Sequence, residues 1–158
     1  MRLTQARLKK LLRYDLRTGE FFWLVNRRST LIGKLAGRDH GDGYWCIGLD
    51  HKAYLAHRLA WLYAHGKFPK GGLDHKNGNP ADNRMSNLRE ATQRENTYNR
   101  KRRKDSYAGL KGVTKHIDGG YVAEVGKIYL GYFRTPEEAH AAYCEAAHNL
   151  YGEFFCAG

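Results

Sequence analysis

Hydrophobic and polar positions in the first 70 residues predict short elements joined by turns. Four leucines with helical spacing predict a short amphipathic helix near the start: Leu3, Leu8, Leu11 and Leu12. The aromatic and β-branched run at residues 20–25 predicts a strand. Residues 44–49 and 53–55 predict a hairpin, followed by a helix over residues 58–64 that Gly66 would end.

Residues 72–96 have the pattern of a strand, a loop, a second strand and a helix. Residues 72–75 and 88–91 predict the strands, and the turn formers between them include an Asn-Gly pair that tolerates positive φ. The Thr-x-x-Glu run at residues 92–95 has the form of a helix capping box, which places Asn96 in the first turns of the helix. Asn96 should then come close to the end of the first strand.

The last third of the chain has a pattern of its own. Residues 110–116, 121–126 and 128–133 predict three short strands. A cap residue, a proline at the first helical position and a capping box predict that a helix begins at residues 135–138. The predicted apolar stripe of this helix consists of Ala139, Ala142, Tyr143, Ala146, Ala147 and Leu150. Three strands and one helix form a small module suited to reading DNA.

The polar residues of the central segment carry the candidate chemistry. Asp74 and His75 are adjacent, Asn87 lies twelve positions after the histidine, and Asn96 lies nine positions further. Two oxygen ligands of this kind can hold a divalent metal while an imidazole removes a proton from water. An Asp-His pair alone is more often ordinary surface chemistry, so the prediction depends on the agreement of the asparagine spacings with the turn pattern. The combination suits phosphodiester hydrolysis.

These residues resemble the HNH endonuclease motif of phage and intron-homing enzymes. The resemblance covers roughly residues 40–100 and rests on these segments: Asp74-His75, Asp82-Asn83-Arg84, Asn87-Leu88-Arg89, Asn96, and upstream His57-Arg58-Leu59-Ala60-Trp61 with Gly66 and Pro69. It implies a ββα-metal nuclease module in which His75 is the general base and Asp74 and Asn96 are metal ligands. Asn87 would be the middle asparagine that holds the loop and the base, with Asn83 as the alternative for that role.

Two positions depart from the motif that its name describes. Asp74 replaces the first histidine and Asn96 replaces the last. Carboxylate and amide oxygens are hard ligands, so the expected cofactor is Mg²⁺ or Mn²⁺ rather than zinc. The paired Cys-x-x-Cys segments of some relatives are also missing, so their structural zinc is not expected.

The last third resembles the APETALA-type DNA-binding domain of plant ethylene-response factors. Over residues 107–156 the resemblance rests on these segments: Gly112-Val113, Tyr121-Val122-Ala123-Glu124, Tyr129-Leu130-Gly131-Tyr132-Phe133, Thr135-Pro136-Glu137-Glu138-Ala139, Ala142-Tyr143 and Gly152. It implies that the three-stranded sheet enters the major groove. The residues at or near the matching contact positions are Lys111, Thr114, His116, Tyr121, Glu124, Lys127 and Tyr129. The alternative is a sheet that packs without contacting DNA.

The net charge of the chain indicates what kind of partner it binds. The chain of 158 residues has 27 Lys and Arg against 16 Asp and Glu, a formal net charge of +11, which favours a polyanion. Arg100, Lys101, Arg102 and Arg103 form a basic run that is expected to contact DNA, or else to be a solvated linker. Arg58 is a further candidate for a phosphate contact. His57 begins a helix or packs.

The predicted fold class is α+β: a ββα-metal nuclease module with an N-terminal supporting region at residues 1–99, a basic linker at residues 100–106, and a DNA-binding sheet with one packed helix at residues 107–158. The predicted function is a metal-dependent DNA endonuclease that hydrolyses phosphodiester bonds, as a site-specific nicking or homing enzyme of phage type. The alternatives are a non-catalytic DNA-binding regulator and a structural nucleic-acid-binding protein.

The remaining composition concerns compartment and partners. Three cysteines without metal-type spacing fit a reducing cytosol. No apolar signal region and no run of eighteen apolar residues is present, which predicts a soluble cytoplasmic protein, in the host cell cytoplasm if it is phage-encoded. The expected partner is double-stranded DNA, with no membrane association and no obligate protein partner.

Overall fold

The structure is a computed structural model, and it describes residues 3–26, 31–100 and 109–157. The chain divides into two compact units, Met1–Thr92 and Gln93–Gly158. Both units combine helices with antiparallel strands, so the fold is a mixture of α and β structure.

Short strand pairs and two helices make up the first unit. In chain order the elements are α1 (Gln5–Leu11), β1 (Leu12–Tyr14), β2 (Phe21–Trp23), β3 (Arg38–Asp39), β4 (Trp45–Leu49), β5 (Lys52–Leu55), α2 (Ala56–His65), β6 (Gly72–His75), a 3₁₀ turn (Met85–Asn87) and β7 (Leu88–Ala91). β1 pairs with β2, β4 lies between β3 and β5, and β6 pairs with β7, all antiparallel.

The core of the first unit lies where α1 and α2 pack against these strands. Its largest fully buried side chains include Leu8, Phe21, Ile47 and Leu59. The predicted N-terminal helix is present, but it ends at Leu11. The prediction was wrong for Leu3, which is buried but precedes the N-cap residue Thr4. It was also wrong for Leu12, which is the first residue of β1 and is fully buried there, because an apolar residue next to a helix satisfies a strand pattern equally well.

Turn chemistry explains the hairpin and helix that precede the central segment. Asp50 and His51 have φ values of 44° and 63°, the left-handed geometry of a tight turn, and they join β4 to β5 as predicted. α2 starts at Ala56, slightly earlier than predicted. Gly66 ends it as predicted, with a φ of 75° and its N–H on the carbonyl of Leu62.

The second unit has one three-stranded sheet covered by a helix. Its elements are α3 (Gln93–Tyr98), β8 (Val113–Lys115), β9 (Tyr121–Val125), β10 (Ile128–Phe133), α4 (Pro136–Tyr151) and a 3₁₀ turn (Gly152–Phe154). β9 is the central strand, and both pairings are antiparallel. The buried residues of the two packed faces are Val113, Ala123, Val125, Ala139, Tyr143 and Ala147.

The predicted start of α4 is confirmed, whereas the predicted first strand and apolar stripe differ in part from the structure. The capping box is present: the Thr135 hydroxyl accepts from the Glu138 N–H at 3.2 Å, and the Glu138 carboxylate accepts from the Thr135 N–H at 3.3 Å. The first strand is shorter than predicted, because residues 109–112 form turns. Leu150 was wrongly placed in the buried stripe and is 54% exposed. The stripe continues four residues after Ala147, at Tyr151.

No helix of the described residues has the length and apolar character needed to span a membrane.

Candidate active site

The β6–β7 hairpin carries the motif residues of the first unit. Its bounds are those predicted, Gly72–His75 and Leu88–Ala91, and the register pairs Asp74 with Arg89 and His75 with Leu88. Asp74 and His75 are 8% and 6% exposed. Two neighbouring polar side chains are therefore buried at the end of one strand, where each needs a partner.

The loop between the strands is closed by asparagine side chains. The Asn87 amide oxygen accepts from the backbone N–H of Asn77 at 3.0 Å. The Asn87 amide nitrogen donates to the Asn77 side-chain oxygen at 3.0 Å and to the Asp82 carbonyl at 2.8 Å. Asn87 is 7% exposed. The buried Asn87 side chain thus links the part of the loop at Asn77 to the part at Asp82 by hydrogen bonds.

The partner of Asp74 is a guanidinium from the opposite strand. Arg89 Nε donates to Asp74 Oδ2 at 2.8 Å, and Arg89 Nη2 lies 2.7 Å from the same oxygen. Both side chains are about nine-tenths buried, at 10% and 9% exposure. The guanidinium offsets the cost of burying the carboxylate, since a buried charge is tolerated when it is paired and hydrogen-bonded.

The partners of His75 hold its ring on two sides. Its Nε2 lies 3.2 Å from the side-chain oxygen of Asn83. The ring of His57 stands edge-on to it, with centroids 5.2 Å apart and an interplanar angle of 89°, and the ring of Tyr44 lies 6.1 Å away. The imidazole is therefore packed and hydrogen-bonded in one orientation.

Burial also sets the charge of both histidines. It lowers the pKa of His75, against the opposing effects of the Asn83 hydrogen bond and the carboxylates of Asp74 and Asp82. Burial lowers the pKa of His57 to about 4, with smaller contributions from His75 and Arg58. Both rings are neutral at neutral pH, and a neutral imidazole can accept a proton. His57 is the second residue of α2, and its ring is buried. Of the two roles predicted for it, His57 therefore has the packing role.

Asn83 is itself fixed by a distant part of the first unit. It is 4% exposed, and its backbone carbonyl accepts from the Tyr14 hydroxyl at 2.7 Å. Gly19, in the turn after β1, has a φ of +78°, and a Cβ there would lie 2.6 Å from the Asn83 carbonyl carbon and 2.5 Å from the Arg84 nitrogen. The β1–β2 hairpin thus packs closely against the backbone of the loop between β6 and β7 and fixes its position.

Asn96 belongs to the second unit, on α3 as predicted. Its side-chain oxygen is buried and has no hydrogen-bond partner among the described residues. A buried acceptor of this kind normally has a partner, so it calls for an explanation such as an ion. Within residues 3–26, 31–100 and 109–157, no group of three or more His, Cys, Asp or Glu side chains is arranged to hold a metal.

Of the residues predicted to contact DNA outside the sheet, the structure describes Arg58 and Arg100. Arg58 is half-buried on α2, and its Nη1 donates to the Gly71 carbonyl at 3.3 Å. Arg100 is exposed after α3. Lys101, Arg102 and Arg103 lie outside the described residues.

The residues predicted to contact DNA from the sheet divide into two groups. His116 and Lys127 are exposed, and His116 lies 3.2 Å from the Asp118 carboxylate. Tyr121 is half-buried and packs against the core of the second unit. Lys111 differs most from the expectation, because its ammonium donates to three backbone carbonyls, those of Tyr98, Arg100 and Cys156, at 2.9, 2.6 and 2.8 Å. This saturates its three donors inside the unit.

Sequence reasoning missed three side chains that organise the site. The motif contains Arg89, but its spacing does not identify this residue as the counter-ion of Asp74; the register that pairs the two residues across the predicted strands is the signal that could have done so. Tyr14 lies 69 positions before Asn83, in a region where no chemistry was expected. Tyr44 was treated only as a strand residue, and it packs beside His57 and His75.

Comparison with known proteins identifies the class of the segment that carries the buried His75 and Asp74. Residues 54–98, which contain the β6–β7 hairpin, match the family described as HNH endonuclease. The chain belongs to the HNH endonuclease family and is a nuclease.

Particular relatives are of phage and viral origin. Protein 3.8 of Escherichia phage T7 is 34% identical over 109 residues, which cover 66% of this chain and 90% of that protein. An uncharacterised HNH endonuclease of Acanthamoeba polyphaga mimivirus is 35% identical over 120 residues, 72% of this chain and 62% of that protein. The solved structure of DNA binding and cleavage by the HNH homing endonuclease I-HmuI covers 56% of this chain and 51% of its own, at 32% identity and a TM-score of 0.43.

Proposed function

We propose that this nuclease is a metal-dependent endonuclease that hydrolyses phosphodiester bonds in double-stranded DNA, as a site-specific nicking or homing enzyme. The observation that carries the proposal is His75, a buried imidazole held by Asn83 and His57 next to the carboxylate of Asp74. A general base needs a fixed position and an unprotonated nitrogen before substrate arrives.

In the proposed mechanism His75 takes the proton from the attacking water. Because burial lowers its pKa, the ring is unprotonated at neutral pH and no proton has to leave it first. Asn87 acts on the reaction indirectly, because its hydrogen bonds close the loop that carries Asn83. Arg89 holds the Asp74 carboxylate in place through its two contacts with Oδ2.

The residues present fit a hard divalent cation. Asp74 offers a carboxylate, and Asn96 offers a buried amide oxygen without a hydrogen-bond partner among the described residues. Oxygen donors of these types favour Mg²⁺ or Mn²⁺. When bound, such an ion would stabilise the charge that develops on the phosphate and on the leaving 3′ oxygen. One site of this kind cuts one strand, so a single chain is expected to nick, and a double-strand break would need a dimer or a second event.

Binding of DNA is assigned to the basic run and to the sheet of the second unit. The net charge of +11 favours phosphate contacts. The proposed phosphate contacts outside the sheet are Arg58, Arg100, Lys101, Arg102 and Arg103. The proposed division is a nuclease module at residues 1–99, a linker at residues 100–106 and an APETALA-type DNA-binding domain at residues 107–158. The antiparallel sheet with one packed helix supports the last assignment.

One face of that sheet supports the proposal, because it exposes polar and aromatic side chains. Ala123 and Val125 face α4, so Val122 and Glu124 point to the other side of β9. The register places Tyr132 opposite Val122 and Tyr129 opposite Glu124, and these tyrosines are 49% and 61% exposed. His116 and Lys127 lie at the ends of the neighbouring strands, and Lys111 is left out because its ammonium is already engaged.

A metal titration on supercoiled plasmid tests this function. We expect conversion to the nicked form with Mg²⁺ or Mn²⁺ and none with EDTA. Asp74→Ala and Asn96→Ala should raise the metal concentration needed for half-maximal rate, because each removes an oxygen ligand. Gln93→Ala, an exposed position on the same helix as Asn96, is the matched control and should leave the titration unchanged. Nicking in EDTA would refute metal dependence, and unchanged titrations of both variants would reassign the ligands.

A further inference from the structure

Helix α3 is too short to be stable through its own hydrogen bonds. It has six residues, Gln93–Tyr98, and each of them keeps part of its surface exposed. An isolated helix of fewer than ~12–15 residues is marginal in water, so its position is set by what it packs against. By its contacts α3 belongs to the second unit, and the residues of that unit that touch it determine where its side chains lie.

The ammonium of Lys111 binds the C-terminal end of α3. Its Nζ donates to the carbonyls of Tyr98, Arg100 and Cys156 at 2.9, 2.6 and 2.8 Å. Tyr98 is the last residue of α3, and the carbonyls at a helix end lack partners within the helix. A cation is favourable there, since the carbonyl end of a helix is partly negative. Because Cys156 lies beyond α4, the same ammonium joins the end of α3 to the C-terminal segment.

Both Lys111 and the end of α3 are attached to α4. His140 Nδ1 donates to the Lys111 carbonyl at 2.9 Å, which fixes the backbone that carries the ammonium. The rings of Tyr98 and Tyr151 are parallel to within 10°, with centroids 3.8 Å apart, and Tyr151 is the last residue of α4. The end of α3 is therefore held at two points, by an ammonium and by a stacked ring.

These attachments act two positions after Asn96, whose buried side-chain oxygen has no hydrogen-bond partner among the described residues. We infer that Lys111 is a positioning residue of the nuclease, which holds the end of α3 so that the Asn96 oxygen stands where the divalent cation needs it. The inference rests on the proposed function, in which Asn96 is a metal ligand. The second unit then has a task besides DNA contact, and Lys111 does not have the DNA-contact role expected at its position.

Binding of Mn²⁺ to the full-length protein without DNA tests this role and needs no cleavage. Lys111→Met keeps the length of the side chain and removes its three donors. Its Mn²⁺ dissociation constant, measured from the electron paramagnetic resonance signal of free Mn²⁺, should rise ~10-fold or more, the usual cost of losing a group that orients a metal ligand. Val113→Ala is the matched control, because it removes buried methyl groups from the core of the same unit. It should lower the free energy of unfolding and leave the Mn²⁺ dissociation constant unchanged.

A double substitution shows whether Lys111 acts through Asn96. Asn96→Ala alone should raise the Mn²⁺ dissociation constant, and adding Lys111→Met to it should cause no further rise. A further rise would overturn the inference, because Lys111 would then act on the metal by another route. Wild-type affinity in Lys111→Met, beside a weakened Asn96→Ala, would also overturn it and leave the proposed function intact. Wild-type affinity in Asn96→Ala would instead remove Asn96 from the proposed metal site, and Lys111 with it.

Amide hydrogen exchange reports how firmly the end of α3 is held. The N–H groups of Asn99 and Arg100 donate to carbonyls of α3 at 3.3 Å, and they should exchange faster in Lys111→Met. Tyr151→Leu removes the ring that stacks on Tyr98, and it serves as the second variant if Lys111→Met does not fold. It should also speed this exchange and weaken Mn²⁺ binding. Exchange at the wild-type rate in a folded variant would contradict the inference.

The salt dependence of DNA binding separates this role from a phosphate contact. In EDTA, Lys111→Met should keep the wild-type slope of log K against log salt, because the three donors of the ammonium are engaged within the unit. A slope smaller by ~0.9 would place the ammonium on a phosphate and overturn the inference.

Discussion

The motif hairpin of the first unit and the exposed sheet face of the second unit present their polar side chains in opposite ways. Asp74, His75, Asn83 and Asn87 are all at most 8% exposed. On the outer face of the second sheet, Tyr129 and Tyr132 are 61% and 49% exposed. The first set has its partners inside the protein, and the second set has much of its surface available to a partner outside it.

This difference matches the role that is proposed for each region. A proton transfer requires a base whose position and charge are set before the substrate arrives, and burial with fixed hydrogen bonds provides both. Contact with a long polyanion requires side chains that reach beyond the protein surface. We therefore assign the proposed chemistry to the buried hairpin and the proposed DNA contact to the basic run and the exposed sheet face.

The largest expected effect tests whether the hairpin depends on its buried pairing. Arg89→Met leaves the Asp74 carboxylate buried without its guanidinium, and we expect the free energy of unfolding to fall by about 3–5 kcal/mol. Arg84→Met is the matched control, because Arg84 pairs with Asp82 in the same loop but is 48% exposed, and it should change stability far less. Urea unfolding of both variants measures this. Equal losses would show that burial of the Asp74 pair adds nothing.

The next effect is a pH dependence of stability caused by His57. Its pKa is 6.5 in an unfolded chain and about 4 in the folded state, so between these values the unfolded state binds more protons. Stability is therefore highest above pH 6.5, falls as the pH is lowered towards 4, and then levels off. At ~1.4 kcal/mol per unit, the loss is about 3 kcal/mol.

His57→Phe keeps an aromatic ring beside His75 and removes the titrating group. The slope of unfolding free energy against pH should become shallower, with a remainder from His75, whose pKa is also lowered by burial. Urea titrations at several pH values between 7 and 4 give the slopes. An unchanged slope would place the titrating group elsewhere.

A smaller effect concerns the basic run that is proposed to contact DNA. Replacing Arg100, Lys101, Arg102 and Arg103 by Gln should weaken binding to all DNA sequences alike and flatten the dependence of log K on log salt by roughly 3.6, since each phosphate contact contributes ~0.9. The matched control neutralises four exposed lysines elsewhere: Lys10, Lys34, Lys52 and Lys67. Equal slopes in the two variants would show that net charge matters and the position of the basic run does not.

Local patterns were sufficient to predict most of the elements. β6 and β7 have the bounds that turn formers and alternating residues indicated, and α4 begins with the predicted capping box. These features depend on residues that are close in sequence. The error at Leu12 comes from an apolar residue at a helix end, where the pattern does not distinguish the end of one element from the start of another. Leu150 lies within α4 but on its exposed face, because the positions three and four residues after Ala147 can both continue an apolar stripe and Tyr151 takes that place.

The partners within the site could not be predicted in the same way. Tyr14 reaches Asn83 across 69 positions, and Lys111 reaches Cys156 across 45 positions, so no local periodicity reports either contact. Asn83 was considered only as an alternative to Asn87, because the spacing of the motif does not show which asparagine touches the imidazole. The position of His75 on its strand was predictable, but the hydrogen bond that orients it depends on how the loop folds back.

The central claim is that the hairpin performs the chemistry and the exposed sheet face holds DNA. The most direct test compares His75→Ala with Tyr129→Ala/Tyr132→Ala for plasmid affinity in EDTA and for single-turnover nicking at saturating protein in Mg²⁺. His75→Ala should lower the rate by ~10²–10⁴-fold with its dissociation constant unchanged. The tyrosine variant should raise the dissociation constant about tenfold, as expected from losing ~1–3 kcal/mol of base contact, and keep the saturated rate. Wild-type nicking by His75→Ala, or an unchanged affinity of the tyrosine variant, would contradict the account.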